Sequence, residues 1–357
     1  MQYKFLIYIS YSYALPIGIP LEQEILSRGY PVQWFSDLDD GKTALQGKTN
    51  VLDSIKELLI YKPDIVLTAT NDVADFISGL KVQVFHGFNA EKRPEGKDSF
   101  SHFRIRGFFD LYCTQGPSTT TPFKKLAQHK RFFQVMETGW SKVDPLFPLE
   151  LKPKPAVPTI MIASTFTQLL SLAHDDSVFE EIRRLTHTGS FQFIMVLHPK
   201  LPQHIVVKWQ TLENEHFHFY DTTDLIPLFK KADVLFADTT SVIQEFLLQK
   251  KPVVSFKHTI NHDYLIHVNN AEAIETAFEE ALQPSEALLL KIEALIAALH
   301  PYYDGKSSAR VVDASIACLH ADKSNWKAKP LNLIRKYKIR KRLNHFTLKS
   351  YNKAYTI

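Results

Sequence analysis

Two histidines stand where an apolar, strand-like run ends: Val84-Phe85-His86-Gly87 and Val196-Leu197-His198-Pro199. In an open α/β sheet the carboxyl end of a strand is a ligand position. An imidazole there accepts a proton near neutral pH or donates to a phosphate oxygen. Gly87 lets the backbone turn sharply or approach a ligand closely. The competing reading is a histidine that merely ends a strand. A third segment, Asp238-Thr239-Thr240-Ser241, follows an apolar run and opens a helix. Hydroxyls beside free helix N–H groups suit phosphate oxygens, although Asp238 or Thr239 also serves as a plain N-cap. Glu245, one turn further, suits a ribose hydroxyl. The fourth segment is Asp304-Gly305-Lys306-Ser307-Ser308-Ala309-Arg310. Ser307 or Ser308 caps the helix that follows, and Arg310 in its first turn opposes the helix dipole. Either a ligand anion answers Arg310, or Arg310 pairs with Asp304.

Positioning these residues takes alternating strands and helices. The β-rich runs 3–9, 31–35, 64–68, 81–85 and 108–114 alternate with helical patterns over 21–28, 51–60, 73–78 and 117–129. The polar stretch 89–106 reads as a long loop. The run 146–158, with Pro148, Pro153, Pro155 and Pro158, reads as a linker. The alternation then restarts, with strands over 159–163, 191–197, 217–220, 234–237 and 253–256. Helices are expected over 178–186, 205–213, 225–231, 241–250, 271–282, 285–299 and 307–320. Strand–helix alternation predicts βαβ units and parallel sheets. The expected organisation is an N-terminal Rossmann-like domain over 1–147, a linker over 148–158, a second Rossmann-like domain over 159–322 and a basic tail over 323–357. Two doubly wound domains with an interdomain cleft are the architecture of a GT-B type transferase.

The chain has 357 residues, 45% hydrophobic and 22% charged, which excludes a disordered or fibrous protein. Its net charge of +4 is the sum of two unlike parts. Eleven of the 42 Lys and Arg residues follow Asp322 and no acidic residue does, leaving 31 basic against 38 acidic residues, a net of −7, before it. Two cysteines, Cys113 and Cys318, make no disulfide framework or metal-ligand spacing, so a reducing cytosolic compartment and no metal site are expected. The first residues lack the succession of a signal peptide, and no stretch has the apolar length of a spanning helix. In the tail, six of the eight residues from 335 to 342 are basic, with aromatics around them and no clean apolar stripe at helical spacing. That pattern suits an anionic membrane surface or a solvated, partly disordered terminus. A nucleic-acid role for the tail is disfavoured by the acidic body and the lack of a recognisable binding motif.

Taken in order, the motifs resemble the CDP-glycerol glycerophosphotransferase family, the teichoic-acid primases and polymerases with a GT-B fold. The matching segments are His86-Gly87, Gly139-Trp140-Ser141-Lys142-Val143-Asp144, His198-Pro199, Asp238-Thr239-Thr240-Ser241 with Lys251-Pro252, and Asp304-Gly305 through Arg310. The resemblance implies His86 as base or phosphate ligand and His198 at the donor diphosphate. It also implies donor phosphates and nucleotide held by Gly87, Asp238, Thr239, Thr240, Ser241, Glu245, Ser307, Ser308 and Arg310, with Lys142, Asp144 and Lys92 as further candidates. The implied donor is CDP-glycerol or another CDP-polyol, with no tightly bound cofactor. Its polyol-phosphate passes to a hydroxyl of a glycan or lipid-linked acceptor in cell-surface polymer (teichoic acid or capsule) synthesis, with release of CMP. The place implied is the cytoplasmic face of the membrane, reached through residues 323–357. Two departures stand out. The family's His-Gly-Thr-Pro-Leu-Lys is His86-Gly87-Phe88-Asn89-Ala90-Glu91-Lys92 here, and Asp-Tyr-Ser-Ser is Asp-Thr-Thr-Ser. The nearest alternative within the fold is a glycosyltransferase or a UDP-N-acetylglucosamine 2-epimerase-like enzyme.

Overall fold

The computed structural model describes residues 2–88, 103–150 and 155–356. They form two compact units, one built from residues up to 86, 103–148 and 299 onward, the other from 149–298 with residues 87–88.

The first unit begins with β1 (Phe5–Ile9), α1 (Leu15–Ser27), β2 (Val32–Ser36), α2 (Asp39–Ala44) and α3 (Ile55–Tyr61). It continues with β3 (Ile65–Thr68), β4 (Leu80–Gln83), β5 (Leu111–Thr114), α4 (Pro117–Lys130) and β6 (Gln134–Glu137). The sheet runs in the order β2-β1-β3-β4-β5-β6, with every pairing parallel. The order reverses direction between β1 and β3, the switch point at which open α/β sheets bind ligands. β1, β3, β4 and β5 are buried along their whole lengths, which explains the near-continuous apolar runs of β1 and β3, whereas β4 buries Lys81 and Gln83 among its apolar residues.

The second unit repeats the plan. It holds β7 (Thr159–Ser164), α5 (Asp176–Thr186), β8 (Gln192–Leu197), α6 (Gln203–Gln210), β9 (Phe217–Phe219) and α7 (Ile226–Lys231). Then come β10 (Val234–Ala237), α8 (Val242–Leu247), β11 (Val253–Phe256), β12 (Ile266–Val268), α9 (Ile274–Leu282) and α10 (Glu286–Leu299). Its parallel sheet is ordered β12-β11-β10-β7-β8-β9, so the switch point lies between β7 and β10. Its core collects Ile160, Phe193, Phe236 and Phe278, each fully buried.

After residue 299 the chain belongs to the first unit, through α11 (Ser307–His320) and α12 (Leu333–Arg342). This differs from the expected boundary at 322, and the contacts give the reason. Arg28 of α1 pairs with Asp313 and donates to the Ala309 carbonyl, and Arg310 donates to the Thr138 carbonyl.

The tail is ordered and docked. Lys329 pairs with Asp110 at 2.7 Å, both buried, and donates to the Phe108 carbonyl. Arg340 grips Asp75 through both nitrogens at 2.7 and 3.1 Å, and Lys336 lies 3.5 Å from the same carboxylate. Arg342 reaches Asp37 at 2.5 Å and Asp72 at 3.3 Å. Ile339 enters the first unit's core. Part of the basic surplus is thus spent inside the molecule on carboxylates of the acidic body. The expectation of a solvated terminus does not hold for these residues.

Other differences are local. Residues 73–78, expected to be helical, form a buried turn that presents Asp72 and Asp75 to the tail. α1 starts at Leu15, ahead of the expected 21, because Pro16 sits in its first turn where no N–H is needed. Residue 51 is a bridge beside Trp34, and α3 begins at Ile55 behind the cap Ser54.

Burial alone would raise the Asp75 carboxyl, but hydrogen bonds from Arg340 and Ser350 and the nearby Lys336 charge hold it below the usual carboxylate range. That stabilisation is present at neutral pH and is lost as acid protonates Asp75. Asp75→Ala, which strands Lys336 and Arg340, is expected to cost about 3–5 kcal/mol, while the exposed Lys341→Ala stays within about 0.5 kcal/mol. Urea denaturation followed by tryptophan fluorescence measures both, and equal losses would contradict the docking account.

Candidate functional site

At the carboxyl end of the first sheet, Val84 still bonds to the Thr68 carbonyl at 2.9 Å. Phe85 then turns into the left-handed region at φ 57°, a conformation bulky residues avoid and one that recurs at functional positions. Its carbonyl accepts Trp140 Nε1–H at 3.2 Å. The turn brings His86 Nδ1 to 3.2 Å from the Ala69 carbonyl. A carbonyl only accepts, so Nδ1 carries the proton and Nε2 keeps its lone pair. The ring reaches solvent, but the protein packed around it desolvates the imidazolium and lowers its pKa. The Ala69 bond opposes that shift and the Arg106 charge reinforces it. The net lowering favours the uncharged imidazole. Around it lie Tyr13, with ring centroids 5.5 Å apart, and Arg106, which donates to Asn71 Oδ1 at 2.9 Å. The loops here are anchored by Asp37, which accepts from Tyr8 and Ser10 hydroxyls, each at 2.6 Å, and from Arg342. Among the described residues, a Cβ at Gly87 would meet nothing within 4 Å.

The carboxyl end of the second sheet carries His198 just past β8. Its Nδ1 accepts the Lys200 backbone N–H at 3.1 Å, so the neutral ring carries its proton on Nε2. The ring packs on Phe166 at 4.6 Å, and Lys200 Nζ lies 5.3 Å from the same Phe166 centroid. Phe166 and Lys200 join the candidate set. A lone aromatic and lysine in loops gave no sequence signal beyond proximity of Lys200 to His198.

Asp238 is fully buried and its carboxylate is engaged by the chain. It accepts from the Ser164 hydroxyl at 2.6 Å, the Thr165 N–H at 2.9 Å and the Leu172 N–H at 3.0 Å. Its role is to tie the loop after β7 to the end of β10. Thr239 is likewise buried and accepts the Thr259 N–H at 3.1 Å. Thr240 and Ser241 are half-buried and remain accessible, whereas Glu245 is buried within α8.

The Gly139–Asp144 and Asp304–Arg310 motifs come together in the first unit. Asp144 accepts the Ser307 and Ser308 N–H groups at 2.8 and 2.6 Å, so a carboxylate of the chain itself fills the N-terminus of α11. Arg310 pairs with Asp304 at 2.8 and 3.1 Å and stacks 4.0 Å from the Tyr302 ring centroid. The internal pairing anticipated for Arg310 is the one observed. Gly139 has φ +78°, and a Cβ there would sit 2.4 Å from Ser307 Oγ, so only glycine fits. Buried His300 accepts the Trp140 N–H at 3.1 Å, and burial, with the Arg310 charge, pushes its pKa down to about 4. Lys142 is half-buried over the Trp140 ring. Lys92 lies outside the described residues.

Among the described residues no cluster of three or more His, Cys, Asp or Glu is arranged to hold a metal, and no helix is long and apolar enough to cross a membrane. Neither a family model nor a curated protein matches the sequence. Solved structures do match. A Listeria monocytogenes structure assigned as a UDP-N-acetylglucosamine 2-epimerase aligns at TM-score 0.63 and 16% identity, covering 90% of this chain and 98% of that one. The wall teichoic acid polymerase TagF aligns at TM-score 0.59 and 14% identity, covering 87% and 88%. The S. aureus MnaA–UDP structure aligns at TM-score 0.58 and 15% identity, covering 88% and 96%. The chain has a GT-B-like fold. At these identities the likeness is one of fold, and function must be argued from the sites.

Asp144→Ala exposes the N-terminus of α11 and is expected to cost about 2 kcal/mol, while Asp144→Asn recovers part of it. Thermal denaturation of the two variants checks the ranking, and an Ala variant as stable as wild type would show that the cap contributes nothing.

Proposed function

We propose that the chain is a phosphotransferase that moves a polyol-phosphate, glycerol-phosphate in the first instance, from a CDP-activated donor to a hydroxyl of a glycan or lipid-linked acceptor. The observation that carries this reading is the pair of strand-end histidines in complementary tautomers: His86 with a free lone pair on Nε2, His198 with a proton on Nε2. One suits taking a proton from an attacking hydroxyl, the other donating to a phosphoryl oxygen. The GT-B-like fold, shared with a polymerase also solved with CDPG, supports it.

The acceptor oxygen attacks the donor β-phosphorus and its proton passes to His86 Nε2. The new phosphodiester bond forms as the bridging bond between the two phosphorus atoms breaks, and CMP leaves with that bond's electron pair. Within the second unit, the His198 Nε2–H, the Lys200 ammonium and the Thr240 and Ser241 hydroxyls are donors suited to phosphoryl oxygens. Gly87 is kept as a candidate contact to the donor. Asp238 and Thr239 act by holding the loops, and Glu245 is kept as a candidate contact to a ribose hydroxyl. Ser307, Ser308, Arg310 and Asp144 brace the first unit, and Lys142 is kept as a candidate phosphate contact beside them. A second reading, a sugar-nucleotide enzyme, is favoured by the TM-score of 0.63 with the epimerase structure.

We also propose that the chain works at an anionic membrane surface, by a narrower route than the whole basic tail. The side of α12 away from the core exposes Leu333, Ile334, Tyr337, Lys338 and Lys341, and Phe346, Leu348 and Lys349 follow it. Apolar and basic side chains together suit anionic lipid.

With CDP-glycerol, the purified chain is expected to release CMP, and His86→Ala to lower kcat/KM by about 10²–10⁴. UDP release from UDP-sugars without CMP from CDP-polyols would favour the second reading. Because the His86 pKa is lowered, the acid-side decline of kcat/KM as Nε2 is protonated should lie at lower pH than the titration of an ordinary histidine. Co-sedimentation with phosphatidylglycerol vesicles should fall more than about tenfold in Lys338→Glu/Lys341→Glu, and unchanged binding would refute the membrane proposal.

A further inference from the structure

Beside His86 lies a stacked pair of tyrosines. Just after β1, at the switch point of the first sheet, the turn Ser12–Ala14 presents two tyrosines to solvent. Tyr11 is 45% exposed and Tyr13 40%. Their rings stack at 5.4 Å between centroids and 19° between planes, and Tyr13 in turn lies 5.5 Å from the His86 ring. Large aromatic rings normally bury their faces, so an exposed stacked pair next to a candidate base is unspent apolar surface.

The pair is held in place. The Ala14 N–H bonds to the Tyr11 carbonyl at 3.0 Å, and Asp40 accepts the Ser12 N–H at 2.5 Å. Among the described residues the surroundings are acidic on balance, with Asp72, Asp40 and Asp37 against Arg342 and Arg106; burial first, then Tyr11 and the three carboxylates, raise the Tyr13 phenol to about 12. Asp37 and Asp72 are answered by Arg342, while Asp40 is met by a backbone N–H. An acidic rim disfavours an anionic ligand, and a flat aromatic platform favours a ring with an apolar face. The saturated C–H face of a pyranose is such a ring, and its equatorial hydroxyls project sideways, toward a neighbouring base.

We propose that Tyr11 and Tyr13 form the acceptor subsite and take the C–H face of an uncharged pyranose, delivering a ring hydroxyl to His86 Nε2. This rests on the transferase reading and deepens it: the acceptor's reacting end is a neutral sugar, and a polyanionic polyol-phosphate chain does not stack there.

The test is saturation-transfer difference NMR on the full chain, with methyl N-acetyl-β-glucosaminide and methyl β-glucoside as probes and glycerol 3-phosphate as the charged, ringless comparison. The wild type is expected to saturate the glycoside ring protons. Tyr11→Ala should reduce the signal about tenfold, and Tyr11→Phe should preserve it, because stacking needs the ring and not the hydroxyl. No ring-proton signal with either glycoside overturns the subsite. So does a signal that Tyr11→Ala leaves intact, or glycerol 3-phosphate binding that depends on Tyr11 more than glycoside binding does. Near-UV circular dichroism shows whether each variant is folded, and Tyr11→Phe keeps the test decisive if Tyr11→Ala is not. Binding is read without a donor, so a failure of CDP-glycerol to release CMP would count against the transferase reading and leave the glycoside result standing.

Discussion

A buried carboxylate must be surrounded by hydrogen-bond donors or it costs the fold several kcal/mol. Each sheet of this protein places one such group at its carboxyl end. Asp37 follows β2 and gathers Tyr8, Ser10 and Arg342, while Asp238 follows β10 and gathers Ser164, Thr165 and Leu172. Asp238 lies beside the switch point of its sheet, and Asp37, at the end of the edge strand β2, bonds to Tyr8 of β1 and to Ser10 just after it. The demand of the anion for donors fixes the loops that leave the neighbouring strands, and those loops carry Tyr11 and Tyr13 in one unit and Phe166 in the other. Rigid presentation at a strand end is what candidate catalytic groups require.

The same demand explains the charge asymmetry. An acidic body with a basic tail invites the idea of an external anionic partner for the tail. Much of the partner is internal: Asp110, Asp75, Asp72 and Asp37 take up Lys329, Lys336, Arg340 and Arg342. Of the basic residues left exposed, Lys338, Lys341 and Lys349 fall in the stretch that also exposes Leu333, Ile334 and Phe346, while Lys327 and Lys353 lie outside it.

Strands buried on both faces announce themselves as continuous apolar runs, and β10 and β11 lie where such runs predict them. α11 likewise spans its expected 307–320. β6 and β12 escaped notice because four- and three-residue edge strands carry too little pattern. α12 escaped for a different reason: its docked face is built of Lys336, Arg340 and Arg342 beside Ile339, so ion pairs stand where an apolar stripe is sought. Among the site residues, the two strand-end histidines were legible because a polar residue closing an apolar run is conspicuous. The engagement of Asp238 and Asp144 by the chain was not, since a carboxylate that binds a ligand's surroundings and one that binds its own backbone read alike in sequence. Tyr11 and Tyr13 are two residues apart in sequence, and only the turn between them makes a stack.

The central claim is that bond cleavage falls between the two phosphorus atoms of a CDP-polyol, with His86 taking the acceptor proton. Phosphorus-31 NMR of the purified chain with CDP-glycerol and a glycoside acceptor follows that bond directly. The account predicts that the two diphosphate resonances are replaced by one CMP monoester resonance and one new phosphodiester resonance, with the exchange suppressed in His86→Ala. Appearance of CDP, in which both phosphorus atoms stay joined, would contradict it.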